Sequence, residues 1–225
     1  MNLTLLDNPG WYALNGPHRH LAIWGKIAAR YQPGTLIAAA MPDNDLTGFN
    51  DLSNLVEVDE VIGVLGGIPD DLPGWEIEES VLIPQMICQD LNPAPVVDAV
   101  SLAEEDVPEM LNLIAVAQPG PFLPRTIEMG AYFGIRQNEK LVAMAGERLH
   151  PEGFCEISAV CTHPDYRSKG YGSSLTSLVA KRIVERGETP FLHVAPTNHT
   201  ARKIYEKLGF RLRTEIRLNL LKKLT

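Results

Sequence analysis

Apolar and polar positions alternate most regularly in the second half of the chain. Met110, Leu111, Ile114 and Ala117 recur at helical spacing and predict a helix over 107–117. Asp106 would cap it, and Pro108 sits in the first turn, where a missing N–H costs nothing. Pro119-Gly120-Pro121 ends it, and a strand over 96–101 precedes it. Two alternating runs, 131–137 and 140–150, form a hairpin turning at Asn138-Glu139. A strand over 153–162 follows. Leu175, Leu178, Val179 and Ile183 then share one face of a helix over 170–186, closed by Gly187. The next strand, 190–195, runs parallel to 153–162, because a helix connects them. A helix over 198–208 stops at Gly209, and the last strand covers 210–221.

The first half gives the order α-β-β-α-β-β: a helix over 9–20, strands near 21–31 and 35–41, a helix over 49–56, and strands over 61–65 and 76–89. Gly63-x-x-Gly66-Gly67 has no basic neighbours and reads as a turn. Asn92-Pro93-Ala94-Pro95 favours an extended linker and sets the boundary between a lobe 1–93 and a domain 96–225.

Charge shifts at the same place. Residues 1–95 hold 3 Lys+Arg against 13 Asp+Glu, and residues 96–225 hold 17 against 15. The acidic half is a poor nucleic-acid surface and either attracts a cationic substrate or is a solvated face. Cys88, Cys155 and Cys161 form no CxxC pair, and no Cys/His spacing suits zinc, so no metal is expected. Cys155 and Cys161 fall on one strand, about 20 Å apart along it, and cannot bridge each other. The six histidines are scattered, and His150, His163, His193 and His199 lack carboxylates at ligand spacing. With no signal peptide and no apolar run long enough to span a membrane, a cytoplasmic home and no membrane partner are expected.

The candidate chemistry lies at Val160-Cys161-Thr162-His163-Pro164-Asp165-Tyr166-Arg167-Ser168-Lys169-Gly170-Tyr171-Gly172-Ser173. A strand enters a basic, glycine-containing loop that opens a helix. The first N–H groups of a helix have no intrahelical partner and suit a phosphate or pyrophosphate. A dinucleotide-binding reading wants glycine at 175 and an acidic residue at the end of the next strand; the chain has Leu175 and Leu192-His193-Val194-Ala195. A purely structural loop is the other alternative.

Asn198, Ala201, Tyr205 and Leu208 share one helix face. Tyr205 reads either as a core aromatic or as a phenol suited to protonating a leaving thiolate. Thr197-Asn198 could be only a cap. Glu156 interrupts an apolar strand. It faces either solvent or a cleft, and in a cleft burial would raise its pKa and suit it to take a proton from an ammonium.

Arg167-x-x-Gly170-x-Gly172, with Glu156 before it and Asn198-x-x-Ala201 and Tyr205-Glu206-Lys207-Leu208-Gly209-Phe210 after it, resembles the acetyl-CoA site of the GNAT superfamily of N-acyltransferases. The resemblance covers residues 96–220. It implies an α/β fold with a mixed central sheet flanked by helices. Residues 1–93 resemble the degenerate N-terminal lobe of glycine N-acyltransferase-like members and imply no second cofactor site.

The resemblance further implies acetyl-CoA, or another acyl-CoA, as co-substrate. Its pyrophosphate would lie on the amides of 167–173, its pantetheine would pair with backbone near Val160, Cys161 and Thr162 and bond Asn198, and its sulfur would stand by Tyr205. The implied reaction is direct transfer of acetyl to the primary amine of a small molecule or amino acid bound where the two lobes meet. Tyr205 would be the acid and Glu156 the base, and the protein a monomer or homodimer. A silent acyl-CoA sensor would need neither side chain, and a protein N-terminal or lysine acetyltransferase would need an open peptide groove.

Overall fold

The structure is a computed structural model that describes residues 2–95 and 97–225. The chain divides into two compact units. One comprises residues 1–83, 149–152 and 215–225, and the other 84–148 and 153–214. Two strands of 14 residues each, β5 (Trp75–Cys88) and β11 (Phe210–Lys223), contribute to both.

In the first unit α1 (Pro9–Leu14) and α2 (Leu46–Leu52) accompany short strands β1 (Ala22–Trp24), β2 (Ala29–Tyr31), β3 (Ala38–Ala40) and β4 (Val61–Leu65). The sheet order is β1-β2-β3-β4-β11, with only the β3–β4 pair parallel. The predicted helix over 9–20 ends at Leu14, and a separate turn of 3-10 helix covers Arg19–Leu21. The stretch 21–31 is two strands. Asp51 explains the turn between them, because its Oδ2 accepts the N–H groups of Ile27 and Ala28 at 2.7 and 2.9 Å. Phe49, Leu52, Ile62, Val64 and Leu221 fill the core. The Lys223 ammonium donates to the carbonyls of Ser53 and Val56, satisfying acceptors left at the end of α2.

The second unit orders β5-β10-β9-β8-β7-β6, with β6 (Val100–Leu102), β7 (Tyr132–Gln137), β8 (Lys140–Glu147), β9 (Phe154–Thr162) and β10 (Thr189–His193). The β9–β10 pair is parallel, as the helical connection requires. α3 (Val107–Ala117) covers one sheet face with Met110 and Leu113 against Tyr132, Met144 and Cys161. α4 (Tyr171–Glu185) covers the other with Leu175, Val179 and Ile183 against Ala143, Cys155 and Ile157. α5 (His199–Lys207) adds Tyr205 to that second core.

The hairpin turn falls at Asn138 and Glu139, both with positive φ, as a two-residue turn between twisted strands demands. The strand predicted over 96–101 begins only at Val100; Val96 lies outside the described residues. The proline segment carries no regular secondary structure and is tied along α4. Ser177 accepts the Ala94 N–H at 2.9 Å, and the Ser174 hydroxyl donates to the Pro95 carbonyl at 2.8 Å. Asp106 makes no side-chain cap to α3. It accepts the Ala103 N–H at 2.9 Å and pairs with Arg136.

Candidate active site

Two irregularities in β9 shape the site. Gly146 on β8 stands opposite Ser158 and Met144 opposite Cys161, so Ala159 and Val160 together face Ala145. This is a β-bulge, and Ala159 carries the positive φ of 52° that it needs. The extra residue flips the alternation that follows. Cys155 and Ile157 therefore belong to the α4 core, whereas Cys161 belongs to the α3 core. The second irregularity is a fork. β10 pairs with β9 only over Thr189–Phe191 and Phe154–Glu156, while β8 follows β9 to Thr162.

A cavity of about 610 Å³ lies along the later part of β9. Val160, Cys161 and Thr162 line one side, Asn198, Thr200, Ala201, Ile204 and Tyr205 of the α5 segment another, and Ala117, Gln118 and Pro119 a third. Tyr166, Arg167, Ser168, Gly170, Tyr171, Gly172 and Ser173 complete it. Ser168 (φ 63°) and Gly170 (φ 80°) turn the loop. The first intrahelical bond of α4 runs from Ser174 N–H to Gly170 carbonyl, 3.0 Å, so the amides of Tyr171, Gly172 and Ser173 precede it. A Cβ on Gly170 would meet open space, and one on Gly172 would come no nearer than 3.9 Å to Thr162 and Val160. The backbone here is bare, and the room in front of it fits a phosphate group.

His163 stiffens the approach. Its Nδ1 accepts the Asp165 N–H at 3.3 Å, and its ring meets Tyr166 edge-on at 5.8 Å. Lys169 is not among the lining residues; its ammonium lies 5.0 Å above the Tyr166 ring. Asn198 does cap α5, its Oδ1 accepting the Ala201 N–H at 3.0 Å, and it lines the cavity as well. Tyr205 lines it at 8% exposure, and burial pushes its phenol up to about 12. Leu208 is buried in the core beside the cavity. Cys161 is likewise pushed up to about 12 by burial. The sequence reading missed the wall after α3, where Gln118 is left-handed at φ 51°. It also missed Tyr166, Thr200 and Ile204, although all three lie within the singled-out segments.

Glu156 differs from its expectation. It is fully buried and is not among the lining residues. Arg148 clamps both oxygens, Nε to Oε2 at 2.9 Å and Nη2 to Oε1 at 2.7 Å. His193 Nδ1 reaches Oε1 at 2.7 Å. Burial alone would raise the carboxyl, but the Arg148 charge and these hydrogen bonds outweigh it and hold it well below the usual carboxylate range. The raised, proton-accepting carboxylate expected from the sequence is thus corrected. The His193 contact has no signal at ligand spacing: the two residues are 37 apart in sequence, and only the parallel pairing brings them together.

Among the described residues no His/Cys/Asp/Glu group is placed to hold a metal, and no helix is long and apolar enough to cross a membrane. Cys88, Cys155 and Cys161 are free and buried.

Residues 132–218 match the FR47-like protein family model. An amino-acid acetyltransferase from Mannheimia succiniciproducens is 29% identical over 116 residues, which are 48% of this chain and 26% of that protein. The chain thus spans about a quarter of that curated relative. Among solved structures, a chain from Novosphingobium aromaticivorans, described as a GNAT-family acetyltransferase, is 34% identical with a TM-score of 0.88. That match covers 98% of this chain and 99% of the other. A GCN5-related N-acetyltransferase from Kribbella flavida, 16% identical over 90% of this chain and 88% of its own with a TM-score of 0.58, shares the fold. Identity and coverage of this order, over a chain with this loop and cavity, make the protein a member of the GNAT family of acetyltransferases.

Proposed function

We propose that the protein is an acetyl-CoA-dependent N-acetyltransferase acting on the primary amine of a small molecule or amino acid. The observation that carries this is the single cavity that joins the bare amides of 171–173 to Tyr205 along the forked edge of β9. The amino-acid acetyltransferase relative supports the choice of acceptor class.

Acetyl-CoA would supply a thioester. Attack of the amine nitrogen on its acyl carbon breaks the C–S bond. The residues of this chain then have defined tasks. The loop amides hold phosphate charge at the helix start. Asn198 and the backbone of Val160–Thr162 orient the extended arm, and a backbone N–H near Val160 steadies the carbonyl oxygen. Tyr205 gives its proton to the departing sulfur. Burial pushes the phenol up to about 12, so it carries a proton to give where the sulfur departs. The proton lost by the amine goes to solvent, since Glu156 is held ionised away from the cavity wall.

A panel of amines and amino acids incubated with acetyl-CoA, with free thiol followed over time, tests the reading. Amine-dependent thiol release with a mass gain of one acetyl group on the amine is the expected result. Saturable acetyl-CoA binding with no release from any amine would favour a non-catalytic sensor, and release only with peptides or proteins would shift the acceptor class.

A further inference from the structure

Glu156 and His193 meet where β9 and β10 stop pairing. The last paired residues are Phe191 and Glu156. Had the ladder continued in register, His193 would stand opposite Ser158. Instead its Nδ1 is drawn back to Glu156 Oε1 at 2.7 Å. Gln85, opposite His193 on β5, places its amide nitrogen 3.0 Å from Nε2. A carboxylate only accepts and an amide nitrogen only donates, so Nδ1 carries the proton and the tautomer is set. Arg148 holds Glu156 from the β8 side. The Glu156 and His193 side chains are 0% and 5% exposed. Beyond this point β9 no longer has β10 beside it, and Val160, Cys161 and Thr162 line the cavity.

We propose that Glu156 and His193 form a clasp that fixes where β9 and β10 part, and that both are positioning residues for the cavity. Several observations argue for it. The bond ties His193, two residues past the last pair, back to Glu156 of that pair. A slip of one residue in the β9–β10 register would turn the side chains of either strand to the wrong face. A buried, fully bonded polar cluster holds one arrangement more sharply than apolar packing, because each member is costly to leave unpaired. Arg148, Tyr132 and Cys155 are among the titratable and charged groups within electrostatic reach of the pair, Arg213 bonds Gln85 beside it, and the Arg148 charge compensates Glu156. The clasp stands on the geometry of the second unit; only its kinetic consequence rests on the proposed function.

The test compares wild type with His193→Phe, which keeps a ring and loses the donor, and His193→Asn, which keeps a donor near the position of Nδ1. Amide hydrogen exchange over residues 157–162 and 192–195 is expected to accelerate by about tenfold in His193→Phe and by less than about threefold in His193→Asn. In the same variants KM for acetyl-CoA should rise by about tenfold and stay near wild type respectively, with kcat and the midpoints of the pH profile little changed. Nitrogen-15 spectra of the wild-type protein should place the proton of the neutral His193 ring on Nδ1, a readout that needs no variant to fold. Unchanged exchange in His193→Phe, or an Nε2–H ring in the wild type, would overturn the clasp. So would a fall in kcat with a displaced pH profile and constant KM, which would mark the pair as handling a proton. If wild type fails to bind acetyl-CoA, the proposed function falls while the exchange and tautomer measurements still decide the clasp.

Discussion

Tyr205 keeps its proton across the whole range in which an acetyltransferase is ordinarily assayed, because burial pushes its phenol up to about 12. Its hydroxyl is therefore a donor at every such pH. Tyr205→Phe preserves the packing against Phe210, whose ring centroid is 6.1 Å away, and removes only the proton. The expected outcome is a fall in kcat of about 10²-fold with acetyl-CoA affinity unchanged, measured by steady-state kinetics beside direct binding. An unchanged kcat with a fast acceptor would reduce Tyr205 to packing. Glu156 makes the opposite case. Its carboxyl lies below the ordinary value of 4.5 in the folded protein, so the stability it contributes is present above that pH and lost as pH falls. Glu156→Gln should remove part of the acid slope of stability below about pH 4.5 while lowering stability at neutral pH, where Arg148 loses its counter-charge. Urea midpoints at pH 3.5 to 7.5 would read both effects. A wild-type acid slope retained in full would contradict them.

Elements set by local chemistry were legible in the sequence, and those set by partners were not. α3, β7, α4 and α5 each carry a clear apolar pattern with a turn or glycine at the end, and the structure ends them within a residue or two of that reading, whereas β8 stops at Glu147, three residues short. The glycine loop was singled out for the same reason, its residue types stating a backbone need, and Tyr205 by its helix face together with the family resemblance. The bulge at Ala159 was not, because nothing in Glu156-Ile157-Ser158-Ala159-Val160 announces a positive φ at alanine. Nor was the Glu156–His193 contact, made only once β10 lies beside β9. Gly209 shows how strict a local need can be. Its φ is 99°, and a Cβ there would fall 2.0 Å from the Asp90 carbonyl oxygen. Gly209→Ala should cost about 2 kcal/mol or more, through left-handed strain and the clash together. A lower denaturant midpoint with an unchanged slope would register it, and a stability equal to wild type would contradict the geometry.

At the scale of the whole molecule, charge and connectivity add what no single element shows. Residues 96–225, which carry the loop, balance 17 Lys+Arg against 15 Asp+Glu, whereas residues 1–95 hold 3 against 13. The acetyl-CoA of the proposed function would therefore meet its cationic and amide partners in the less acidic part of the chain. The apolar pattern gave the strand character of β5 and β11 but not the sharing of each between two compact units. Recognition of acetyl-CoA by the loop of 167–173 is the claim on which the functional reading depends, and calorimetric titration of wild type and Gly170→Asp tests it most directly. Aspartate tolerates the left-handed backbone that Gly170 adopts better than most residues, so the variant keeps its fold while its carboxylate enters the open space before the loop. Saturable binding to wild type, weakened by at least about tenfold in Gly170→Asp, is the predicted result. No binding to wild type at about millimolar acetyl-CoA, or equal affinity in the two proteins, would contradict it.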